Sequence, residues 1–320
     1  MNRRYLVMLL ALAAIWGASF LFIKVAVREL DPATLIVGRL GLAALTLALI
    51  APAAVGTRET LRQLRANAAW LAVVALVNTA IPFWLLSWGE TRIDSGLASI
   101  IQASVPIFNA LIAFAAFHEV RVTGARLVGV GVGFVGVALL VGAQPQGKVL
   151  GALAVVGMAF CYGIGGLLTG RYLKAVQPIV VSLGSTALAT LVWLPVGVVE
   201  APGHMPGWKT IGSVVALGIP GTALAYLLFF ALISGAGAAY TSLVTYLIPP
   251  IALAYGAIFL GERFGAAALG GLALILAGVA LGTGGVRVRR PRATWARDPR
   301  PIGVADDASP HRRPDRLRRQ

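Results

Sequence analysis

Ser95-Gly-Leu-Ala-Ser-Ile-Ile-Gln-Ala-Ser-Val-Pro106 in the first half of the chain is answered in the second by Ala238-Ala-Tyr-Thr-Ser-Leu-Val-Thr-Tyr-Leu-Ile-Pro249. Each proline is followed thirteen residues later by a glutamate, Glu119 and Glu262. Working outward, Trp16-Gly17 stands sixteen residues before Pro32 and Tyr162-Gly163 sixteen before Pro178, while Gly136-Val-Ala-Leu139 parallels Gly278-Val-Ala-Leu281. Self-similarity in register along the whole length reads as an internal duplication. If each copy holds five membrane spans, the odd number forces the copies into opposite orientations, and a solute site falls near the bilayer midplane.

Composition supports a lipid solvent. Of 320 residues, 58% are apolar and only 12% are Asp, Glu, Lys or Arg, against about 25% charged in soluble domains. Mean hydropathy is +0.84, which excludes an ordinary soluble enzyme. Ten apolar stretches, near 5–27, 33–54, 69–88, 94–117, 124–142, 149–170, 178–199, 210–231, 237–259 and 266–284, are separated by short polar or Gly/Pro punctuation. Each matches the ~20 residues needed to cross hydrocarbon as a helix. The expected fold is therefore an all-α integral membrane bundle of ten helices in two inverted five-helix repeats, 1–146 and 147–286, followed by an Arg/Pro-rich tail, 287–320. Cys161 is the lone cysteine, so no internal disulfide is available.

The net charge of +15 is unevenly placed: the tail holds eleven Arg against four Asp, together with five Pro. Such a segment cannot bury enough apolar surface to order itself, and reads as a disordered cytoplasmic tail, with anionic lipid headgroups as a possible partner and no nucleic acid expected. Arg3, Arg4, Arg58, Arg62, Arg65, Arg121, Arg126, Arg171 and Lys174 share one side with the tail if the amino terminus is inside. The positive-inside bias predicts both termini in the cytoplasm of a cell whose inner (plasma) membrane carries the protein.

The Trp-Gly of the first span, the Pro-containing fourth span ending in His or Gly followed by Glu, and the Gly-rich fifth span recur in both halves. Together they resemble the EamA-type transporters of the drug/metabolite transporter superfamily, over about residues 5–284. The resemblance implies a ten-helix inverted-repeat carrier of small metabolites, commonly amino acids or their derivatives and often exported. It also implies a cavity lined mostly by the third, fourth, eighth and ninth spans, and a small-molecule solute and the lipid bilayer as partners.

Polar side chains in hydrocarbon are costly and normally face the bundle interior. Ser95, Ser99, Gln102, Pro106 and Asn109 share one face of the fourth span, and Ala238, Ser242, Thr245 and Pro249 the corresponding face of the ninth. Arg39, six residues into the second span with no acid within a helical turn, either snorkels to the interface or clamps a substrate anion. Trp16, Trp84, Tyr162, Tyr226 and Tyr246 suit the wall of a site for an amphipathic solute, and Asn78, ahead of the kinking Pro82, could join it. Glu119 and Glu262 are candidates for gating or coupling, with pairing to Arg121 and Arg263 or capping of the next helix as the plainer roles. No acid lies at mid-span, which leaves relay through a buried carboxylate poorly supported.

Nucleotide and catalytic motifs fail. Gly131-Val-Gly133-Phe-Val-Gly136 lies inside an apolar helix instead of at a strand-to-helix turn, and reads as a helix-packing face. Gly142–Lys148 lacks the Ser or Thr of a P-loop. No cofactor or metal site is expected, nor an enzyme. A membrane enzyme acting on lipid-linked substrates and a non-transporting sensor or scaffold are the alternatives.

Overall fold

The computed structural model describes residues 3–117, 124–144 and 148–282, which form helices and their connections. In chain order they are α1 (Arg3–Ala26), α2 (Pro32–Val55), α3 (Thr57–Ala66), α4 (Ala68–Ala75), α5 (Ile81–Glu90), α6 (Ser95–Gln102), α7 (Val105–Phe117) and α8 (Gly124–Gly142). There follow α9 (Val149–Tyr172), α10 (Pro178–Val199), α11 (Trp208–Gly218), α12 (Ala225–Ala236), α13 (Ala238–Thr241), α14 (Val244–Leu260) and α15 (Ala266–Gly282). Proline opens α2 and α10, where its missing N–H costs nothing and its φ is already helical.

Among the described residues, seven helices are long and apolar enough to cross a membrane: Arg3–Ala26, Pro32–Val55, Ala68–Glu90, Ser95–Ala113, Val149–Tyr172, Pro178–Val199 and Trp208–Ala236. The three remaining apolar stretches give shorter helices, Leu127–Gly142, Val244–Leu260 and Ala266–Leu281. Residues 237–259 fall short of one continuous helix because the backbone turns at Ser242 and Leu243, between α13 and α14. The sequence left residues 57–66 as punctuation, whereas they form α3. There Glu59 accepts from Arg62 Nε at 2.7 Å and Nη2 at 2.6 Å, which holds its carboxyl down to about 2.

The polarity of this bundle is inverted relative to a water-soluble one. Leu45, Leu49, Leu191, Val199, Ile258 and Phe259 are exposed, while Arg39, Glu90, Ser95 and Ser99 are buried. Burying charge while exposing leucine is favourable only where the surrounding solvent is apolar.

Among the described residues, two helices carry π segments, Leu76–Ala80 between α4 and α5 and Ile219–Leu224 between α11 and α12. Their starts are 143 residues apart, the spacing that also separates Pro106 from Pro249. Pro82 and Pro220 lack the N–H that would continue the ladder, and side chains bond other carbonyls of the same helices. Thr222 Oγ1 donates to the Leu217 carbonyl at 2.8 Å, and Trp193 Nε1 to the Ala80 carbonyl at 3.0 Å.

Helices α2 and α10 lie together, with Thr34 Oγ1 donating to the Gly197 carbonyl at 2.9 Å. Helix α1 packs on α14, α9 packs on α7, and α8 packs on α15. The last pair meets backbone to backbone: a Cβ on Gly278 would stand 2.5 Å from Gly133 N and 2.6 Å from Gly129 O. Of the three glycines in the discounted dinucleotide pattern, Gly133 and Gly136 are buried against neighbouring helices and Gly131 faces open space.

Candidate functional site

A cavity of about 510 Å3 lies between the helices, with Trp16, Ser19, Phe20, Gln102, Thr222 and Tyr226 among its lining. That volume falls within the ~300–1,000 Å3 usual for small-molecule sites. Most of the wall comes from the π-bearing helices on either side of Phe83 and Tyr226 and from the two interrupted helices, α6–α7 and α13–α14. An unbroken apolar helix would present the cavity only with side chains. The turn at Ala103–Ser104, ahead of Pro106, opens backbone as well, since Pro106 cannot donate to the Gln102 carbonyl.

Of the sequence candidates, Trp16, Arg39, Asn78, Ser99, Gln102, Tyr162, Tyr226, Ser242 and Thr245 line this cavity. Trp84 and Tyr246 do not. Trp84 stacks on Trp193 at 5.5 Å and on Trp88 at 6.0 Å, within a cluster that includes Ile36, Leu40 and Ala189. Tyr246 packs against the main hydrophobic core. Both were chosen for their chemistry and mid-span position, which carry no facing information, and a π segment before Trp84 and the Ser242–Leu243 turn before Tyr246 interrupt the register of an ideal helix. Ser95, grouped with the fourth span's polar face in the sequence, is fully buried beyond the cavity. Glu119 lies outside the described residues.

Arg39 does not snorkel. Its side chain is 5% exposed and turns into the bundle, donating from Nε to Thr222 Oγ1 at 3.1 Å, with the guanidinium 4.3 Å from the centre of the Phe83 ring. It makes no ion pair among the described residues. Thr222 is held for this contact by its own bond to the Leu217 carbonyl. Around the guanidinium the cavity is aromatic: Phe83 meets Tyr162 edge-on at 6.5 Å, and Trp16 meets Phe229 at 5.4 Å. Asn109, also in the wall, buries an Oδ1 with no hydrogen-bond partner. One fixed cation, amide oxygens nearby and apolar rings can together hold the carboxylate, the ammonium and the side chain of an amphipathic zwitterion. Phe83, Thr222 and Phe229 were not singled out as site candidates, whereas Asn109 stood on the polar face read for the fourth span. Thr222 alone left a signal, a hydroxyl two residues after a mid-span proline.

Glu262 pairs neither with Arg263 nor with the next helix. Gly261, at φ 68°, ends α14 in the left-handed region, and Glu262 then crosses to the first half of the chain. Its carboxylate accepts the Ser95 amide at 2.8 Å and the Gly96 amide at 3.0 Å, at the positive end of α6. Freed from the α14 dipole, it stabilises the start of another helix. Replacing Glu262 with Ala should cost about 1.5–3 kcal/mol, the range for charge-assisted bonds, read as a lowered unfolding midpoint in detergent. An unchanged midpoint would show that the cap carries no weight. Glu29 plays a similar part outside the spans, accepting the Gly207 amide at 2.7 Å, which holds its carboxyl below the usual range.

Comparison with known proteins agrees with this architecture. A protein from Streptantibioticus cattleyicolor described as "Probable terminal-alkyne amino-acid exporter" is 30% identical over 83% of this chain and 89% of its own length. A "Probable amino-acid metabolite efflux pump" of Salmonella typhimurium is 26% identical over 91% of this chain and 98% of its own. A solved crystal structure shares the fold with a TM-score of 0.59 at 17% identity, over 88% of this chain and 97% of that one. The model of the EamA-like transporter family matches twice, at residues 3–142 and 149–283. The chain thus belongs to the EamA-like transporter family, a multi-pass membrane protein of the drug/metabolite transporter type.

Proposed function

We propose that the protein is a secondary exporter of small amino acids or their derivatives, working by alternating access around the cavity that holds Arg39. The observation that carries this reading is the buried guanidinium itself: a permanent charge in the cavity wall, held by a neutral hydroxyl and a ring face, with no carboxylate of the described residues paired to it. Removing a lone cation from water is expensive, so such a group persists where an anion visits it. The amino-acid wording of the two relatives favours a solute carboxylate as that anion, and export as the direction.

In this reading ten helices form two inverted copies, 1–146 and 147–286, with both termini in the cytoplasm and the basic tail near anionic headgroups. Support comes from the equal spacing of the π segments and the prolines, and from the pairing of equivalent helices, α2 with α10 and α8 with α15. The reciprocal packing of α1 on α14 and α9 on α7 adds to it. Rocking of one half against the other would expose the cavity alternately.

The test is flux in liposomes loaded with labelled norvaline or propargylglycine. Gln102→Leu and Thr245→Leu should each abolish flux at unchanged abundance in the membrane, because each replaces a polar wall group with an alkyl chain. Wild-type rates in both variants would reject the assignment of this cavity to the solute.

A further inference from the structure

Three helices carry a polar residue one turn beyond a residue of the cavity wall: Lys24 after Phe20 on α1, Glu90 after Leu86 on α5, and Ser95 before Ser99 on α6. Residues four apart share a helix face, so these three form a polar floor at one end of the cavity, which Glu262 completes from the turn after α14. Two members are well satisfied. Lys24 Nζ donates to the carbonyls of Glu90 and Ile93, each at 2.7 Å, neutralising the end of α5, and Glu262 holds the two amides of α6.

Glu90 is different. Its side chain is 0% exposed and neither carboxylate oxygen has a hydrogen-bond partner among the described residues. The charged groups that face it are Lys24 on α1, Glu262 after α14 and Arg39 on α2. Asp94 and Arg92 lie on the loop that follows, with Arg92 turned over the Trp88 ring at 3.6 Å. Helix α9 presents Gly151 and Val155 against neighbouring Gly89. An ionised carboxylate without a single donor in such a place would be prohibitively costly; the neutral acid is not.

We propose that Glu90 is a proton-binding site, and that a proton on it is required for this end of the cavity to close. Closure brings α1, α5, α6 and the Glu262 turn together around a dry carboxyl. Loss of the proton to water leaves a dry carboxylate that no hydrogen bond holds, with Lys24 Nζ committed to two backbone carbonyls and the Glu262 carboxylate near, and the floor parts until water reaches it. The cycle moves one proton between water and the carboxyl oxygen and needs no other reactant. Because the closed form holds one more proton than the open one, the open-to-closed ratio rises about tenfold per pH unit. The sequence reading set aside relay through a buried carboxylate because no acid stands at mid-span; Glu90 is near a span end yet wholly enclosed. The inference rests on the cavity being the solute path, but its test requires no solute.

Two measurements on the full-length protein in nanodiscs decide it. Infrared spectra at neutral pH should contain the carbonyl stretch of a protonated carboxylic acid that Glu90→Gln removes and Glu262→Gln retains. Absence of the band from wild type, or its persistence in Glu90→Gln, overturns the proposal, and the wild-type arm stands even if the variant fails to fold. In a Cys161→Ser background, a Ser95→Cys thiol should react with a membrane-impermeant methanethiosulfonate faster as pH rises. Adding Glu90→Gln should remove the part of that rise due to opening, about tenfold per pH unit, leaving only the thiol's own ionisation. Identical pH profiles with and without Glu90→Gln would overturn the proposal. Failure of the labelled amino acids to move would count against the exporter reading and leave both results here intact.

Discussion

Arg39→Ala is expected to lower amino-acid flux by ~10–100-fold with the protein still folded and present in the membrane. A charge-assisted hydrogen bond to a carboxylate contributes about 1.5–3 kcal/mol, and each 1.4 kcal/mol is about tenfold in affinity. Removing the side chain also lifts the desolvation cost of a cation that is 5% exposed, so stability should hold or rise even as transport falls. That opposite movement separates a solute-binding arginine from a structural one. Arg39→Lys should recover only a fraction, because the contact geometry belongs to the guanidinium: Nε is committed to Thr222 at 3.1 Å and the plane lies over Phe83 at 4.3 Å. A lysine keeps the charge and loses the fork. Decarboxylated analogues should be transported equally poorly by wild type and Arg39→Ala. Undiminished flux of norvaline in Arg39→Ala would refute the carboxylate role.

Much of this was legible in the sequence, and the remainder fails for identifiable reasons. Long apolar stretches mark their own helices, since little besides a helix satisfies backbone groups in hydrocarbon. Polar residues in those stretches mark the interior, which is why Gln102, Thr245, Asn78 and Tyr162 were found in the cavity wall. Which aromatic faces inward was not legible. In a span apolar on every side, periodicity carries no facing information, and Trp84, just past a π segment, stacks on Trp193. Contacts between the halves were equally hidden: nothing local to Glu262 points to the amides of Ser95 and Gly96, more than 160 residues earlier. Glu90, two residues past the third apolar stretch, carries no local sign of being enclosed, because its burial comes from other helices.

The second large effect concerns assembly. Gly278→Ala adds one methyl group, yet its Cβ would stand 2.5 Å from Gly133 N, 2.6 Å from Gly129 O and 2.7 Å from Gly133 Cα. All three are backbone atoms of α8, so no side-chain rotation can relieve the overlap, and the two helices must separate along their length. Separation forfeits the neighbouring close contacts, including those of Gly136 with the Gly271 carbonyl and Leu274. In lipid, dispersion across such a seam is the main attraction between helices, because tails are as apolar as the side chains they would replace. Overpacking a tight interior costs about 1–3 kcal/mol, and loss of the seam adds to it. Gly278→Ala should therefore reduce the monodisperse fraction and lower the unfolding midpoint in detergent. Gly131→Ala is the matched control. It lies on the partner helix, α8, with nothing within 4 Å of the position a Cβ would take, and alanine favours a helix over glycine by about 1 kcal/mol. Its midpoint should hold or rise. Equal behaviour of the two variants would mean that α8 and α15 do not meet through glycine, and that the seam joining the end of each half is placed elsewhere.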